Sequence, residues 1–169
     1  VNRYLDMFTY DADGKDTEHT YFHFDVALDL GANAGHFTKK MMQRHLSKHY
    51  ILIEANPVTV VNELKPKWAN STWLHKQMES FKKNATLHQM APNPTVEVHN
   101  YALSNLTDSV HNLCPTVKEF AEAESCYVKT TTVDDIINTP KSMPDKLSSQ
   151  THMLVQNAKS MFVKIDTEG

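Results

Sequence analysis

Three short apolar runs and one segment of alternating apolar and polar residues, followed by glycine or by polar residues, constrain the fold of this 169-residue chain most strongly. They cover residues 25–30, 50–53, 95–99 and 161–165. Runs of this length are typical of buried or half-buried strands. Helical patterns separate most of them, and this alternation predicts an α/β fold with a largely parallel sheet. Right-handed crossovers would then place helices on both faces of the sheet.

The segments between the runs supply the predicted helices and loops. Pro57 suits the first turn of a helix, because its missing N–H would have no partner there. One domain is expected over residues 21–169, preceded by a loose polar lead-in over residues 1–20. The other predicted elements are helices over 36–49, 57–68, 73–90 and 133–137, a strand over 127–132, and a loop over 138–150.

Charge and composition exclude several classes of partner. The net charge is −3 and the pI is near 6.4, so no basic surface indicates nucleic acid or an anionic membrane. No apolar run is long enough to cross a bilayer, and the first residues do not resemble a signal peptide. Cys114 and Cys126 fit two free thiols, which favours a cytoplasmic location, or a single disulfide. Sequons at Asn70, Asn84 and Asn105 favour secretion instead.

The turn after the first run is the most informative local motif. Asp29 lies two residues before Gly31, and Gly35 follows four residues later. Glycines let the backbone turn sharply and approach a ligand, and the loop leads into a helix N-terminus. Asn33 and His36 stand where a dinucleotide fingerprint requires glycine, and a P-loop ending is absent. The pattern suits a zwitterion, with Asp29 near an ammonium and loop amides near a carboxylate. A tight turn without a ligand is the alternative.

The three other strand ends carry candidate binding groups. Glu54 ends the second run at the position of a ribose-binding carboxylate, although a solvated helix-start charge is the alternative. Ala102 and Leu103 could form an apolar wall for an adenine, or a plain strand exit. Asp166 and Glu168 follow the last run and could orient a substrate, remove a proton or hold a cation. Helix capping and solvation are their structural alternatives.

Taken together, the segments DVALDLGANAGHFT, YILIEANP, NYALSN, VKTTTVDDI and FVKIDTEG resemble the FkbM-type family of class I methyltransferases. The resemblance covers roughly residues 21–169, and its most specific part is TTTVDDI followed by KIDTEG. It implies a Rossmann-like sheet, S-adenosyl-L-methionine (SAM) as cofactor, and methyl transfer to an oxygen of a small molecule or sugar.

The resemblance also implies a role for each matching residue. Asp29, Gly31, Asn33 and Gly35 would hold the methionine end of SAM, and Glu54 would hold the ribose. Residues 102–103 would flank the adenine. Asp166 would lie beside the methionine and methyl end, and Glu168 near the acceptor. Both are also the candidate catalytic residues, because a carboxylate can assist proton removal from an oxygen acceptor.

Family members continue beyond the KIDTEG segment, so the sequence predicts a sheet without its C-terminal strands. The strand at 161–166 would then be an open apolar edge through which copies could associate. A non-catalytic module that binds SAM or another chain is therefore the alternative function. A nicotinamide-dependent oxidoreductase is a third possibility, which the failed glycine fingerprint disfavours.

Histidine spacing does not indicate a metal centre. The pairs His19/His23 and His45/His49 have helical spacing. Neither pair carries the glutamate of a zinc-protease motif, and no cysteine-rich set lies nearby. The sequence therefore predicts no metal ligands.

Overall fold

The computed structural model describes residues 24–44, 46–83, 94–105, 109–113, 127–138 and 149–166. Strands and helices alternate over residues 24–100, and the described residues from 95 to 131 contain four strands in succession. The strands are β1 (Phe24–Leu30), β2 (Ser47–Glu54), β3 (Thr95–Asn100), β4 (Ala102–Leu103), β5 (Val110–Asn112), β6 (Tyr127–Thr131) and β7 (Met161–Ile165). The helices are α1 (His36–Gln43), α2 (Pro57–Thr59, Val60–Leu64 and Lys65–Trp68 in succession), α3 (Ser71–Lys83), α4 (Val133–Asn138) and α5 (Ser149–Asn157).

A four-stranded parallel sheet in the order β3-β2-β1-β7 forms the centre of the fold. A smaller sheet has the order β4-β6-β5, with β4 parallel and β5 antiparallel to β6. The predicted α/β class with a mostly parallel sheet is confirmed. All four apolar runs of the sequence lie in the large sheet, so their polar ends meet at one edge.

The two faces of the large sheet are covered by different helices. On β2, Tyr50 and Leu52 point toward α1, α2 and α3, whereas Ile51 and Ile53 point toward α4 and α5. This alternation follows from the two-residue period of a strand. Because both faces of β2 are buried, residues 50–53 are all apolar or aromatic. Glu54 is the first charged residue after them. The expectation of helices on both faces is confirmed.

The boundary between α1 and β2 differs from the prediction. The helix expected over 36–49 ends at Gln43, and β2 already begins at Ser47. Ser47 pairs with Phe24 of β1, and its amide donates to the hydroxyl of Tyr50 at 3.1 Å. Sheet pairing and the burial of Leu46 therefore override the helical pattern here. His49 lies on β2, so helical spacing with residue 45 does not apply.

The helix that begins at Pro57 contains an unusual middle turn. The side chain of Asn56 caps its start by accepting from two backbone amides. Further along, the Lys65 amide donates to the carbonyl of Val60, five residues back, which makes this a π-turn. Pro66 follows immediately and has no N–H to donate. The wider turn lets the helix pass Pro66 and continue to Trp68.

Helix α5 was not predicted from the sequence. Its first residues fall within the predicted loop over 138–150, and Asn138 belongs to α4, so that prediction is wrong at positions 138, 149 and 150. The helix packs one side against the sheet, where Val155 is buried and Leu154 is partly buried. The apolar pattern is short and follows a stretch rich in Pro and Ser, which explains why the sequence did not reveal the helix. Helix α3 begins at residue 71, two residues before the prediction.

Several predictions fall outside the described residues. They are the lead-in over 1–20, the end of the third helix over 84–90, Cys114, Cys126, Glu168, and the histidines at 19, 23 and 45. In the described ranges, no helix combines the length and apolar character that crossing a membrane requires. The same ranges hold no group of three or more potential metal-ligating His, Cys, Asp or Glu side chains.

Candidate functional site

The carboxyl ends of the large sheet meet as the sequence predicts. The Asn33 amide, in the turn after β1, donates to Oε2 of Glu54 at the end of β2, over 2.7 Å. The side chain of Asn100, at the end of β3, donates to the carbonyls of Glu54 and Ala55. The Asp166 amide, after β7, donates to the carbonyl of Leu30 at 2.9 Å. Four strand ends therefore form one connected rim.

Left-handed backbone conformations shape the turn after β1. Gly31 and Gly35 have φ of +77°, and Asn33 has φ of +48°. A side chain at Gly35 would also collide with α2, because its Cβ would lie 2.2 Å from Nε1 of Trp68. The indole N–H of Trp68 donates to the carbonyl of Ala34 at 3.4 Å. The turn thus delivers the first amides of α1, which have no acceptor within the helix, to the rim.

Glu54 is held in place by backbone amides of two different turns. Oε2 accepts from the Asn33 amide at 2.7 Å, and Oε1 accepts from the Asn56 amide at 2.8 Å. A carboxylate oxygen can accept a second hydrogen bond, so both oxygens retain acceptor capacity. Glu54 is partly buried, which leaves it accessible from the rim. The arrangement suits a pair of hydroxyl donors such as a ribose diol.

Asp29 is buried and already has partners within the chain. Its carboxylate is only 1% exposed. Oδ2 accepts from the hydroxyl of Thr38 on α1 at 2.6 Å, and Oδ1 lies 3.0 Å from the ammonium of Lys164. The sequence suggested that Asp29 would face an ammonium. The ammonium that it faces in this structure belongs to Lys164 of β7.

Lys164 connects β7, at the edge of the large sheet, with the end of β1. Its Nζ donates to the Gly31 carbonyl at 2.8 Å, pairs with Asp29, and lies 3.5 Å from Oδ2 of Asp166. It also lies 5.7 Å from the centre of the Phe37 ring. Its side chain is 15% exposed, so the ammonium is largely shielded yet reachable from the rim. One lysine therefore links the glycine turn to the end of β7.

The last strand end places one candidate catalytic residue in the described structure. Asp166 is 74% exposed, so its carboxylate is open to solvent and to a substrate. It lies beside the Lys164 ammonium, close to the turn after β1. Glu168 lies outside the described residues, and its proposed role near the acceptor stays a prediction.

The predicted adenine wall forms part of the smaller sheet. Ala102 is buried opposite Thr130 of β6, and Leu103 lies opposite Thr131. Leu103 also packs against the core between the sheet and α4. The backbone amide of Tyr101 donates to the Glu54 carbonyl at 3.2 Å, and this bond connects the segment to the rim. Its contact with an adenine stays a prediction.

Residues that the sequence analysis did not single out complete the site. Thr38 and Lys164 hold Asp29, while Asn56 and Asn100 fix the backbone around Glu54. Trp68 packs on the glycine turn. A charged residue inside an apolar strand, as in MFVKI, was the signal that could have revealed Lys164. An Asn before a Pro at a helix start was the corresponding signal for Asn56.

A separate cavity of about 370 Å³ lies at the opposite edge of the sheet, near the amino ends of β1 and β2. Its lining includes Asp25, His49 and Leu154. The amides of Lys159 and Ser160 donate to the carboxylate of Asp25, and chiefly the first of these bonds holds the pKa of Asp25 below its usual value. Asp25 thus fixes the turn into β7. None of the predicted binding residues lines this cavity.

The rim therefore combines three kinds of recognition group. It offers helix amides for an anion, the Glu54 carboxylate for hydroxyl donors, and the adjacent charges of Lys164 and Asp166. Such a set suits a ligand that carries a ribose and an amino-acid group. No family model, curated protein or solved structure matches this chain.

Proposed function

We propose that this chain is the SAM-binding part of a class I methyltransferase with a Rossmann-like sheet. The enzyme would transfer a methyl group to an oxygen of a small molecule or sugar. The sheet order, the glycine turn after β1 and the acidic residues after β2 and β7 support the proposal. The resemblance of the same segments to FkbM-type methyltransferases supplies the reaction class.

One hydrogen bond carries the proposal. The Asn33 amide and Glu54 are 21 positions apart in sequence, and their 2.7 Å hydrogen bond holds the Glu54 carboxylate directly beside the glycine turn. A ligand that bridges Glu54 and the glycine turn would present its hydroxyls to Glu54. Its other end would then lie near the turn and β7. SAM has this layout, with a ribose between an adenine and an amino-acid group.

The contribution of the protein to methyl transfer would be mainly positional. SAM supplies an activated methyl group, so the chain must align the acceptor oxygen behind that methyl. The rim would fix the ribose through Glu54 and the amino-acid end near β7. Asp166, exposed at that end, and Glu168 are the two candidates for removing the proton from the acceptor hydroxyl.

A calorimetric titration of the 169-residue chain with S-adenosylhomocysteine tests the proposal. We expect saturable one-to-one binding, weakened roughly tenfold or more by Glu54→Gln, since a hydrogen bond to a charged group contributes about 1.5–3 kcal/mol. Glu63→Gln is the matched control, because Glu63 is an exposed helix residue paired only with nearby Lys67 in the contacts described here. Asp29→Ala should weaken binding more than the Glu54 variant.

Two outcomes would contradict the proposal. One is the absence of binding by a wild-type chain that circular dichroism shows to be folded. The other is equal affinity of the Glu54 and Glu63 variants. A parallel titration with NAD separates the proposal from a nicotinamide-dependent oxidoreductase.

The exposed outer part of β7 favours a second candidate function, a non-catalytic module that binds another chain. Val163 and Ile165 are 36% and 59% exposed, and β7 ends the large sheet within the described residues. Apolar strand edges of this kind promote pairing between chains. Sedimentation analysis should then show a defined oligomer that Val163→Lys dissociates, with no binding of S-adenosylhomocysteine. A monomer that binds this ligand contradicts the module.

A further inference from the structure

Lys164 and Asp166 place opposite charges side by side on the rim. Lys164 donates a hydrogen bond to the Gly31 carbonyl at 2.8 Å and forms an ion pair with the buried Asp29 carboxylate at 3.0 Å. Its third contact, with Asp166, is longer at 3.5 Å. Because Asp166 is 74% exposed, solvent screens this contact and makes it weak. The ammonium is therefore fixed, whereas the exposed carboxylate can leave it easily.

We propose that the Lys164–Asp166 pair recognises the zwitterionic amino-acid end of the ligand by exchanging partners with it. On binding, the pair opens, Lys164 pairs with the ligand carboxylate, and Asp166 pairs with the ligand ammonium. This inference rests on the proposed function and assigns the charged end of the same ligand. It differs from the sequence-based interpretation, in which Asp29 meets the ammonium and loop amides meet the carboxylate.

The contacts of Asp29 favour this assignment. Both of its oxygens are engaged, one by the Thr38 hydroxyl and one by Lys164, and the carboxylate is 1% exposed. A ligand ammonium would have to displace Lys164 from a buried charge, which is costly. Exchange at Asp166 leaves that buried pair intact. Asp29 is accordingly a positioning residue that keeps the Lys164 ammonium at the rim.

Charge balance also favours the exchange. A ligand carboxylate replaces one carboxylate beside Lys164, and a ligand ammonium replaces one ammonium beside Asp166. Each charge on the rim keeps an opposite partner, and the net charge of the site does not change. A ligand with only one of these two groups would leave a charge on the rim without its partner.

Two ligands separate this role from a structural one. S-adenosylhomocysteine carries the amino-acid group, whereas 5′-methylthioadenosine has the same adenosine and thioether without it. We expect Lys164→Gln and Asp166→Asn each to weaken binding of S-adenosylhomocysteine about tenfold, as for loss of a charge-assisted hydrogen bond. Affinity for 5′-methylthioadenosine should change less than twofold. Lys67→Gln, at an exposed ion pair on α2, is the control and should change neither affinity.

The Asp166 variant keeps the test decisive if Lys164→Gln fails to fold, because Asp166 is exposed and Asp29 keeps its partner. Equal losses for both ligands in the Asp166 variant would overturn the inference, as would an unchanged affinity for S-adenosylhomocysteine. In either case, wild-type binding of that ligand would leave the proposed function standing. If the folded wild type binds neither ligand, the proposed function and the inference both fail.

Discussion

Replacing Gly35 with alanine is expected to destabilise the chain by roughly 3 kcal/mol. Two costs combine at this position. The φ of +77° is unfavourable for any residue with a Cβ, and that Cβ would lie 2.2 Å from Nε1 of Trp68. Trp68 is 3% exposed and packs edge-on against Trp73, so it has little room to move. Urea unfolding followed by circular dichroism measures the loss.

Asn33→Gly is the matched control for this variant. Asn33 lies in the same turn with φ of +48°, and glycine adopts that conformation without strain. Its stability should stay within about 0.5 kcal/mol of the wild type. If Gly35→Ala were as stable as this control, the close packing of Trp68 on the turn would be wrong.

Lys164→Met is expected to cost about 3–5 kcal/mol, because it leaves the buried Asp29 carboxylate without its cation. Methionine fills a similar volume beside Phe37, so the lost charge accounts for most of the effect. Adding Asp29→Asn to this variant should recover much of the stability, because a neutral amide is easier to bury. Urea midpoints of the wild type, the two single variants and the double variant form a complete cycle.

The cycle yields a coupling free energy for the pair. Lys67→Met combined with Glu63→Gln is the corresponding control, and this exposed pair should show a coupling under 1 kcal/mol. A coupling for Asp29 and Lys164 as small as that of the control pair would contradict the buried ion pair. Stability and ligand affinity are measured separately, so this prediction is independent of the proposed function.

The sequence predicted the large sheet well because β1, β2 and β7 are rich in apolar residues and β3 alternates apolar and polar residues. It placed β1, β2, β3 and β7 and brought the glycine turn next to Glu54. It failed where tertiary contacts decide local structure. Residues 47–49 have a helical pattern but pair with β1, and α5 is a short helix stabilised mainly by packing on the sheet.

The partners of Asp29 could not be predicted from the motif alone. The motif shows an acidic residue before a glycine turn, which fits both a ligand contact and an internal ion pair. Only the register of β7 against β1, in which Asp29 lies opposite Lys164, distinguishes the two. A parallel strand that returns from so far along the chain leaves no local signal of its register.

The position of Lys164 in the chain has a consequence for the order of folding. The contact between the glycine turn and Glu54 closes a loop of 21 positions, whereas the contact between Gly31 and Lys164 spans 133. The longer closure costs more chain entropy and relies on a strand that is synthesised well after β1 and β2. Until β7 docks, Asp29 remains hydrated, since among the described residues its paired cation is Lys164 of β7. The half of the rim around Glu54 can therefore assemble early, and the chain gains the half that carries Lys164 only when β7 docks.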